Sequence, residues 1–297
     1  MNKYSNPIFG IHMQLFTTVR NLQDSISQSK HNGKKIAFVP TMGALHAGHL
    51  SLVQKAKEHA DTVVVSIFIN PSQFNNQQDL IKYPRMLEQD AYLLEAIQCD
   101  VLFVPIVSEV YPPGLNPAIT IELGILDEVL EGEFRPGHFK GMLEVVYRLL
   151  DIVKPDVLVM GQKDFQQFTL VYHMIEQLKL PVKLIVGETL RELDGLAMSS
   201  RNLRLSESMR KIAPIIFTVL QELKQQLYIK DLDHLLAQEI EKLTNAGLRM
   251  EYLRIVDGIS LQNVKNPEKH AYIVACVACW AEDVRLIDNL VLKGPPQ

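Results

Sequence analysis

From about residue 36 to residue 187, short apolar runs alternate with helical patterns, and this alternation restricts the chain to one broad class of fold. Strands are expected near 36–39, 62–69, 101–104, 156–160 and 182–186, with helices near 48–60, 86–98, 139–153 and 164–178. Strand–helix alternation of this kind implies an α/β architecture, a doubly wound parallel sheet covered on both faces. Ligands of such sheets collect at the carboxyl ends of the strands. Here those ends carry Pro40-Thr-Met-Gly43, Asn70-Pro-Ser-Gln73 and Gly161-Gln-Lys-Asp164. The three turns would converge although they lie far apart along the chain.

After about residue 187 the rhythm changes. Two long amphipathic helices, about 206–228 and 232–246, precede strand-like segments at Met250–Val256, Ala271–Cys279 and Val284–Asp288. They predict a smaller α+β domain with an antiparallel sheet. The expected division is 1–187 and 188–297, the second part carrying the polar loop Leu190 to Asn202, a candidate mobile, phosphate-contacting segment at the junction. Lysines and glutamates of 221–242 read as the solvated faces of two helices.

Composition narrows the function. A chain of 297 residues that is 47% hydrophobic can bury a large core. A net charge of −4 gives no global attraction to nucleic acid, and small-molecule chemistry fits better. No stretch of eighteen apolar residues appears and the first dozen residues lack a signal-peptide core, so a cytoplasmic protein with no membrane partner is expected. Cys99, Cys276 and Cys279 are too few for a disulfide framework and are expected as reduced thiols. The Cys276-Val-Ala-Cys279 spacing lies inside an apolar strand with no turn and no second ligand pair, which reads as packing.

The chemistry concentrates in Phe38-Val-Pro-Thr-Met-Gly-Ala-Leu-His-Ala-Gly-His-Leu-Ser-Leu52. An apolar strand feeds a helix through a turn of small residues, where backbone can approach a bulky ligand and unpaired amides favour an anion. His46 and His49 are three apart, on one face of the first turn. Both rings can donate to phosphate oxygens, and either can carry charge as negative charge builds in a transition state. Further segments add polar groups: Asn70-Pro-Ser-Gln-Phe74 supplies amides, and Gly161 to Gln167 supplies a lysine, a carboxylate and more amides. Paired amides suit a polar, hydroxylated substrate. Phe134-Arg-Pro-Gly-His-Phe-Lys-Gly141 is a basic loop before a helix, and Met198-Ser-Ser-Arg-Asn202 offers hydroxyls and a guanidinium for phosphate.

In combination, the His-x-Gly-His turn, Asn-Pro-x-Gln-Phe, Tyr-Pro-Arg, Arg-Pro-Gly-His-Phe, Lys-Asp-Phe-Gln-Gln and Met-Ser-Ser-Arg-Asn segments resemble the pantoate–β-alanine ligase family of the nucleotidyltransferase superfamily. The match runs in order through the first two-thirds of the chain. The resemblance implies a Rossmann-like nucleotidyltransferase fold and two ATP-dependent steps. Pantoate carboxylate would attack the α-phosphorus to give pantoyl adenylate and pyrophosphate, and the β-alanine amine would then displace AMP. Both steps call for charge stabilisation rather than a protein nucleophile.

Residue roles follow from the same resemblance. The ATP site would comprise Met42, Gly43, Ala44, Leu45, His46, Ala47, Gly48 and His49, then Gly161, Gln162, Lys163 and Asp164, then Leu190 at the adenine, and Met198, Ser199, Ser200 and Arg201 at the departing pyrophosphate. His46, His49, Lys163 and Arg201 would act in catalysis, with His49 in the position the family describes as proton donor and Lys163 at the α-phosphate. Gln73 and Gln167 would bind pantoate, and Gln73 also β-alanine. Mg²⁺ is expected with ATP. Its protein ligands stay open: Ile81 stands where relatives commonly have an acidic residue, and Asp90 remains of a partly kept acidic cluster. Residues Met1 to His12 are an extension before the expected family start near Met13. A homodimer is implied as well.

Two other readings stay open. One is an adenylyltransferase with the same turn and a different acceptor, against which the two glutamine segments argue. The other is a non-catalytic nucleotide-binding protein, against which His46, His49, Lys163 and Arg201 argue together. A class I aminoacyl-tRNA synthetase fits less well, because the chain is short, acidic and lacks a basic RNA-binding appendage.

Overall fold

The computed structural model describes residues 13–73, 80–81, 83–115 and 119–294. The extension Met1 to His12, and with it Phe74, Asp79 and Lys82 of the family segments, lies outside the described residues. Six strands form one parallel sheet: β1 (Gln14–Phe16), β2 (Ile36–Thr41), β3 (Thr62–Ile67), β4 (Val101–Phe103), β5 (Val157–Gly161) and β6 (Lys183–Gly187), in the order β1-β4-β3-β2-β5-β6. The doubly wound α/β sheet is therefore present, with an edge strand that the sequence did not announce. Three residues with an exposed Leu15 make too short a run to read as a strand.

The strands are apolar throughout because both faces are covered. Ile36 and Phe38 of β2 pack with α1 (Val19–His31), while Ala37 and Val39 pack on the opposite face with Val53 of α2 (Ala47–Lys57) and Leu94 of α3 (Leu87–Ala96). Met142 and Leu149 of α4 (His138–Val153) and Leu170 and Met174 of α5 (Phe165–Leu178) complete the first face. Apart from Ala37, each such buried side chain contributes about 1.5–3 kcal/mol relative to exposure. Successive residues thus serve different layers, as the two-residue period of a strand demands.

The chain visits β2, β3 and β4 on one side and then returns to β5 on the other, so the strand order reverses between β2 and β5. These two strands pair only at Ala37↔Val157 and Phe38↔Leu158, then diverge toward their carboxyl ends. Pro40, with no N–H to donate, stands in the diverging part. The resulting crevice is where an open α/β sheet binds ligand.

Beyond β6 follow α6 (Glu207–Ile212), α7 (Ile215–Gln226), α8 (Leu232–Asn245) and the antiparallel strands β7 (Arg249–Asp257), β8 (Ile273–Ala281) and β9 (Val284–Lys293), in the order β7-β8-β9. The single helix expected over 206–228 is instead two, separated at Ala213-Pro214. Pro214 cannot donate to the preceding turn, a signal legible in the sequence. Strand β9 also runs five residues past the expected Asp288.

Strand β8 is buried on both faces. Val274, Cys276 and Ala278 pack toward α4 and α5, and Ile273, Ala275, Val277 and Cys279 toward α7 and α8. Cys276 and Cys279 therefore point to opposite sides of the sheet and cannot share a metal or a bond with each other. Burial raises both thiols, Cys279 to about 12, which bears out packing as their role.

Candidate functional site

The turn after β2 is built on left-handed backbone, with φ of 81° at Gly43 and 50° at Ala44. That geometry aims consecutive amides at one point. Asp90, buried on α3, occupies it: Oδ2 accepts from Ala44 N at 2.9 Å and Oδ1 from Leu45 N at 2.7 Å. The arrangement is an anion-binding nest filled by the protein's own carboxylate. With both oxygens committed to backbone, Asp90 is a support for the turn. No group of three or more metal-ligating side chains occurs among the described residues.

Helix α2 starts immediately afterwards, with His46 as its N-cap. His46 Nδ1 accepts from Gly48 N at 3.2 Å, and His49 Nδ1 accepts from His46 N at 3.3 Å. A ring nitrogen that accepts cannot carry the proton, so each neutral imidazole has its proton on Nε2. The ring centroids are 4.1 Å apart. A Cβ on Gly48 would stand 2.9 Å from the His46 ring, which explains the glycine between the histidines. Burial, then the charge of Lys163, lowers His46 to about 4; burial, then His46, lowers His49 to about 3. Without ligand both rings are neutral hydrogen-bond donors at pH 7.

The amide segment after β3 is held from α4. Asn70, buried, donates to Ser72 Oγ at 2.9 Å and to Gly141 O at 3.1 Å. His138 Nδ1 donates to the carbonyl of Gln73 at 2.8 Å. These contacts fix the helical turn Pro71–Gln73, from which Gln73 Nε2 reaches Met42 Sδ at 2.8 Å. Burial, then Arg135, lowers His138 to about 4. The Arg-Pro-Gly-His-Phe loop thus supplies a positioning imidazole that its sequence marked only as basic.

Lys163 and Asp164 lie in the helical turn Gln162–Asp164 after β5. The Leu190–Met198 segment folds back on itself, Met198 N donating to Leu190 O at 3.0 Å and Glu192 N to Leu196 O at 2.8 Å. It is anchored by Arg191, which pairs with Asp288 through two hydrogen bonds of 2.5 and 3.0 Å and stacks on Phe217. Ser199 Oγ then caps the turn Ser200–Arg204 by accepting from Arg201 N at 3.3 Å.

A cavity of about 200 Å³ brings these pieces together. Its walls include Met42, His46, Gly48, His49, Gln73, Gly161, Lys163, Asp164, Gln167, Leu190, Met198, Ser199, Ser200 and Arg201. Of the residues expected around ATP, Gly43, Ala44 and Leu45 are buried in the turn, Ala47 is exposed beside it, and Gln162 turns to Asn289 instead. A second cavity of about 480 Å³ shares Met42, Gln73, Lys163, Asp164, Gln167, Ser199 and Arg201, and extends between the two sheets to Arg135, Glu251, Trp280 and Arg285. Neutral imidazole donors, a lysine and an arginine beside paired amides suit a polyphosphate next to a hydroxylated acid.

Sequence reasoning gave no individual role to Asn70, His138, Arg191, Asp288 or Asn289, and raised Asp90 only as a metal ligand. His138 and Asn70 sat inside segments already singled out. Asp288 and Asn289 carried no local signal at all.

The chain matches the family model described as pantoate-beta-alanine ligase over residues 14–291. It is 43% identical over 282 residues to the pantothenate synthetase of Psychromonas ingrahamii, covering 94% of this chain and 97% of that protein. The crystal structure of the Thermus thermophilus pantothenate synthetase superposes with a TM-score of 0.88 at 38% identity, covering 95% of this chain and all (100%) of the other. The Francisella tularensis pantoate-beta-alanine ligase, crystallised with beta-gamma ATP and beta-alanine, superposes with a TM-score of 0.79 at 37% identity over 96% of this chain and 100% of that one.

Proposed function

The chain belongs to the pantoate–β-alanine ligase family, and on that premise we propose that it condenses pantoate with β-alanine at the expense of ATP, releasing AMP and pyrophosphate. The observation that carries the reading is the gathering of the histidine turn, Gln73, Lys163, Gln167 and the Ser199–Arg201 loop on one cavity at the carboxyl ends of β2, β3, β5 and β6.

In the first step a pantoate carboxylate oxygen attacks the α-phosphorus, and the bond to the bridging oxygen of pyrophosphate breaks. His46 and His49 donate Nε2–H bonds to phosphate oxygens, Lys163 steadies the α-phosphate, and Arg201 with Ser199 and Ser200 holds the leaving pyrophosphate. Because Nδ1 of each histidine is engaged by backbone, neither ring needs to be charged to act. Gln73 and Gln167 hold pantoate by its hydroxyls and carboxylate. In the second step the neutral β-alanine amine, beside Gln73, attacks the activated carbonyl carbon; AMP leaves with the bonding electrons, and its departing phosphate takes up the proton that the nitrogen loses.

Mg²⁺ belongs to this reading as the counter-ion of ATP. Asp90 fits poorly as its ligand, since both oxygens are held by amides. The ion is expected to bind through phosphates and water. A cytoplasmic homodimer completes the proposal; no described helix is long and apolar enough to cross a membrane.

The test is direct. Purified protein with ATP, Mg²⁺ and pantoate should release pyrophosphate, and added β-alanine should release AMP and pantothenate. Turnover with a different acid only would reassign the ligase, and inert protein would favour nucleotide binding without catalysis.

A further inference from the structure

We propose that Asn289, on the last strand, is a positioning residue for adenylyl transfer that acts by holding the backbone under Lys163; the inference rests on the reading of Lys163 as the α-phosphate contact. Asn289 is 3% exposed, and its amide is used on both sides. Oδ1 accepts from Gln162 Nε2 at 2.9 Å, while Nδ2 donates to Gln162 O at 2.9 Å and to Lys163 O at 2.8 Å.

Two consecutive carbonyls at a turn need two donors from one direction, and an uncharged primary amide supplies both while still accepting a third bond. A carboxylate of the same shape would face two carbonyl oxygens with no proton to offer. An apolar side chain would take both of these donors away from the turn. The match between group and task is therefore narrow.

The neighbouring residue strengthens the case. Asp288 holds Arg191, the anchor of the segment leading to Ser199 and Arg201. In register, Asn289 pairs with Cys276 and Asp288 with Val277, which face opposite sides of the antiparallel sheet. Strand β9 thus runs between the two phosphate-contacting segments and grips one from each face. The smaller sheet sets the distance between Lys163 and the Arg201 loop, and does more than cover the cavity.

Pyrophosphate release from ATP and pantoate is measured in single turnover for the full-length protein, Asn289→Ala, Asn289→Ser, Lys163→Ala and the Asn289→Ala/Lys163→Ala double variant, with melting followed in parallel. A displacement of about 1 Å at a reacting group can cost roughly a hundred-fold, so a drop of about ten-fold or more in rate is expected for Asn289→Ala, with the half-saturating ATP and pantoate concentrations changing less than about three-fold. Asn289→Ser, which keeps one donor, should fall between it and the parent. In the Lys163→Ala background the Asn289 change should cost nothing further.

Folded Asn289→Ala or Asn289→Ser with the parental rate would overturn the inference. So would equal losses in both backgrounds, which would mean action independent of Lys163. If Asn289→Ala does not fold, the serine variant decides by the same criteria. A Lys163→Ala protein of undiminished rate would overturn the underlying reading and the inference with it, whereas an impaired Lys163→Ala beside an unimpaired Asn289→Ser would overturn the inference alone.

Discussion

Asp90 Oδ1 accepts the backbone N–H of Leu45 at 2.7 Å, tying helix α3 to the turn that ends in His46. Its other oxygen takes Ala44 N at 2.9 Å, so one side chain satisfies two buried donors across a left-handed turn. Asp90→Ala leaves both amides without a partner, at a cost of about 1–3 kcal/mol for each. The variant should melt lower and turn over more slowly, as the histidine turn relaxes. An unchanged melting temperature with an altered Mg²⁺ requirement would instead restore a metal role to Asp90.

Lys163→Ala, His46→Ala and His49→Ala should each lower turnover by roughly two to three decades, the usual cost of removing one preorganised donor from a site that stabilises developing charge. Steady-state AMP formation with ATP, pantoate and β-alanine measures this. Near-parental turnover in a folded Lys163→Ala protein would remove that residue from the reaction.

The two histidines also predict how stability responds to acid. Their folded-state values, about 4 for His46 and about 3 for His49, lie below the unfolded value of 6.5. Between these limits the unfolded chain binds protons that the folded chain refuses, so stability is full above about pH 6.5 and declines as pH falls toward 4. Denaturant titrations at several pH values should give a shallower decline for His46→Gln than for the parent. Titration of the ring proton resonances near 6.5 would refute the half-buried, neutral assignment.

Glu239 predicts the opposite dependence. It is buried on α8 near Glu222, whose carboxylate is already taken by Lys242 at 2.6 and 2.7 Å, and Lys230 is the other charge in reach. Burial, then the charge of Glu222, raises the Glu239 carboxyl above its ordinary value. Its contribution is therefore greatest below the unfolded value and is lost as pH rises through the folded one. Glu239→Gln should melt higher than the parent at pH 8 and should lose that advantage near pH 4. Equal melting temperatures at both pH values would show that Glu239 finds compensation within the fold.

Much of the site was legible because its parts are local. His46, Gly48 and His49 follow an apolar run of the kind that makes a buried strand, and the Lys163 segment follows another, so short-range pattern placed each at a strand end. The crevice needed only the rule that such ends face the ligand. What escaped notice was either too short, as in β1, or polar in sequence, as in α1, where only Leu22 and Ile26 are buried. The break at Pro214 was visible and was overridden by the helical periodicity around it.

The apolar periodicities determined the parallel sheet and the strand-to-helix turn that carries His46 and His49, because those depend on neighbours a few positions apart, while the acid-activating chemistry was implied by the resemblance of the combined motifs to a known family. Tertiary structure alone decided that Asp90 supports the turn, that His138 holds Gln73, and that Asp288 and Asn289 hold the Arg191 and Lys163 segments. These contacts join residues 45 to 126 positions apart. Whether a buried carboxylate meets a metal or two amides is settled by what the folded chain brings to it, and no local pattern records that partner.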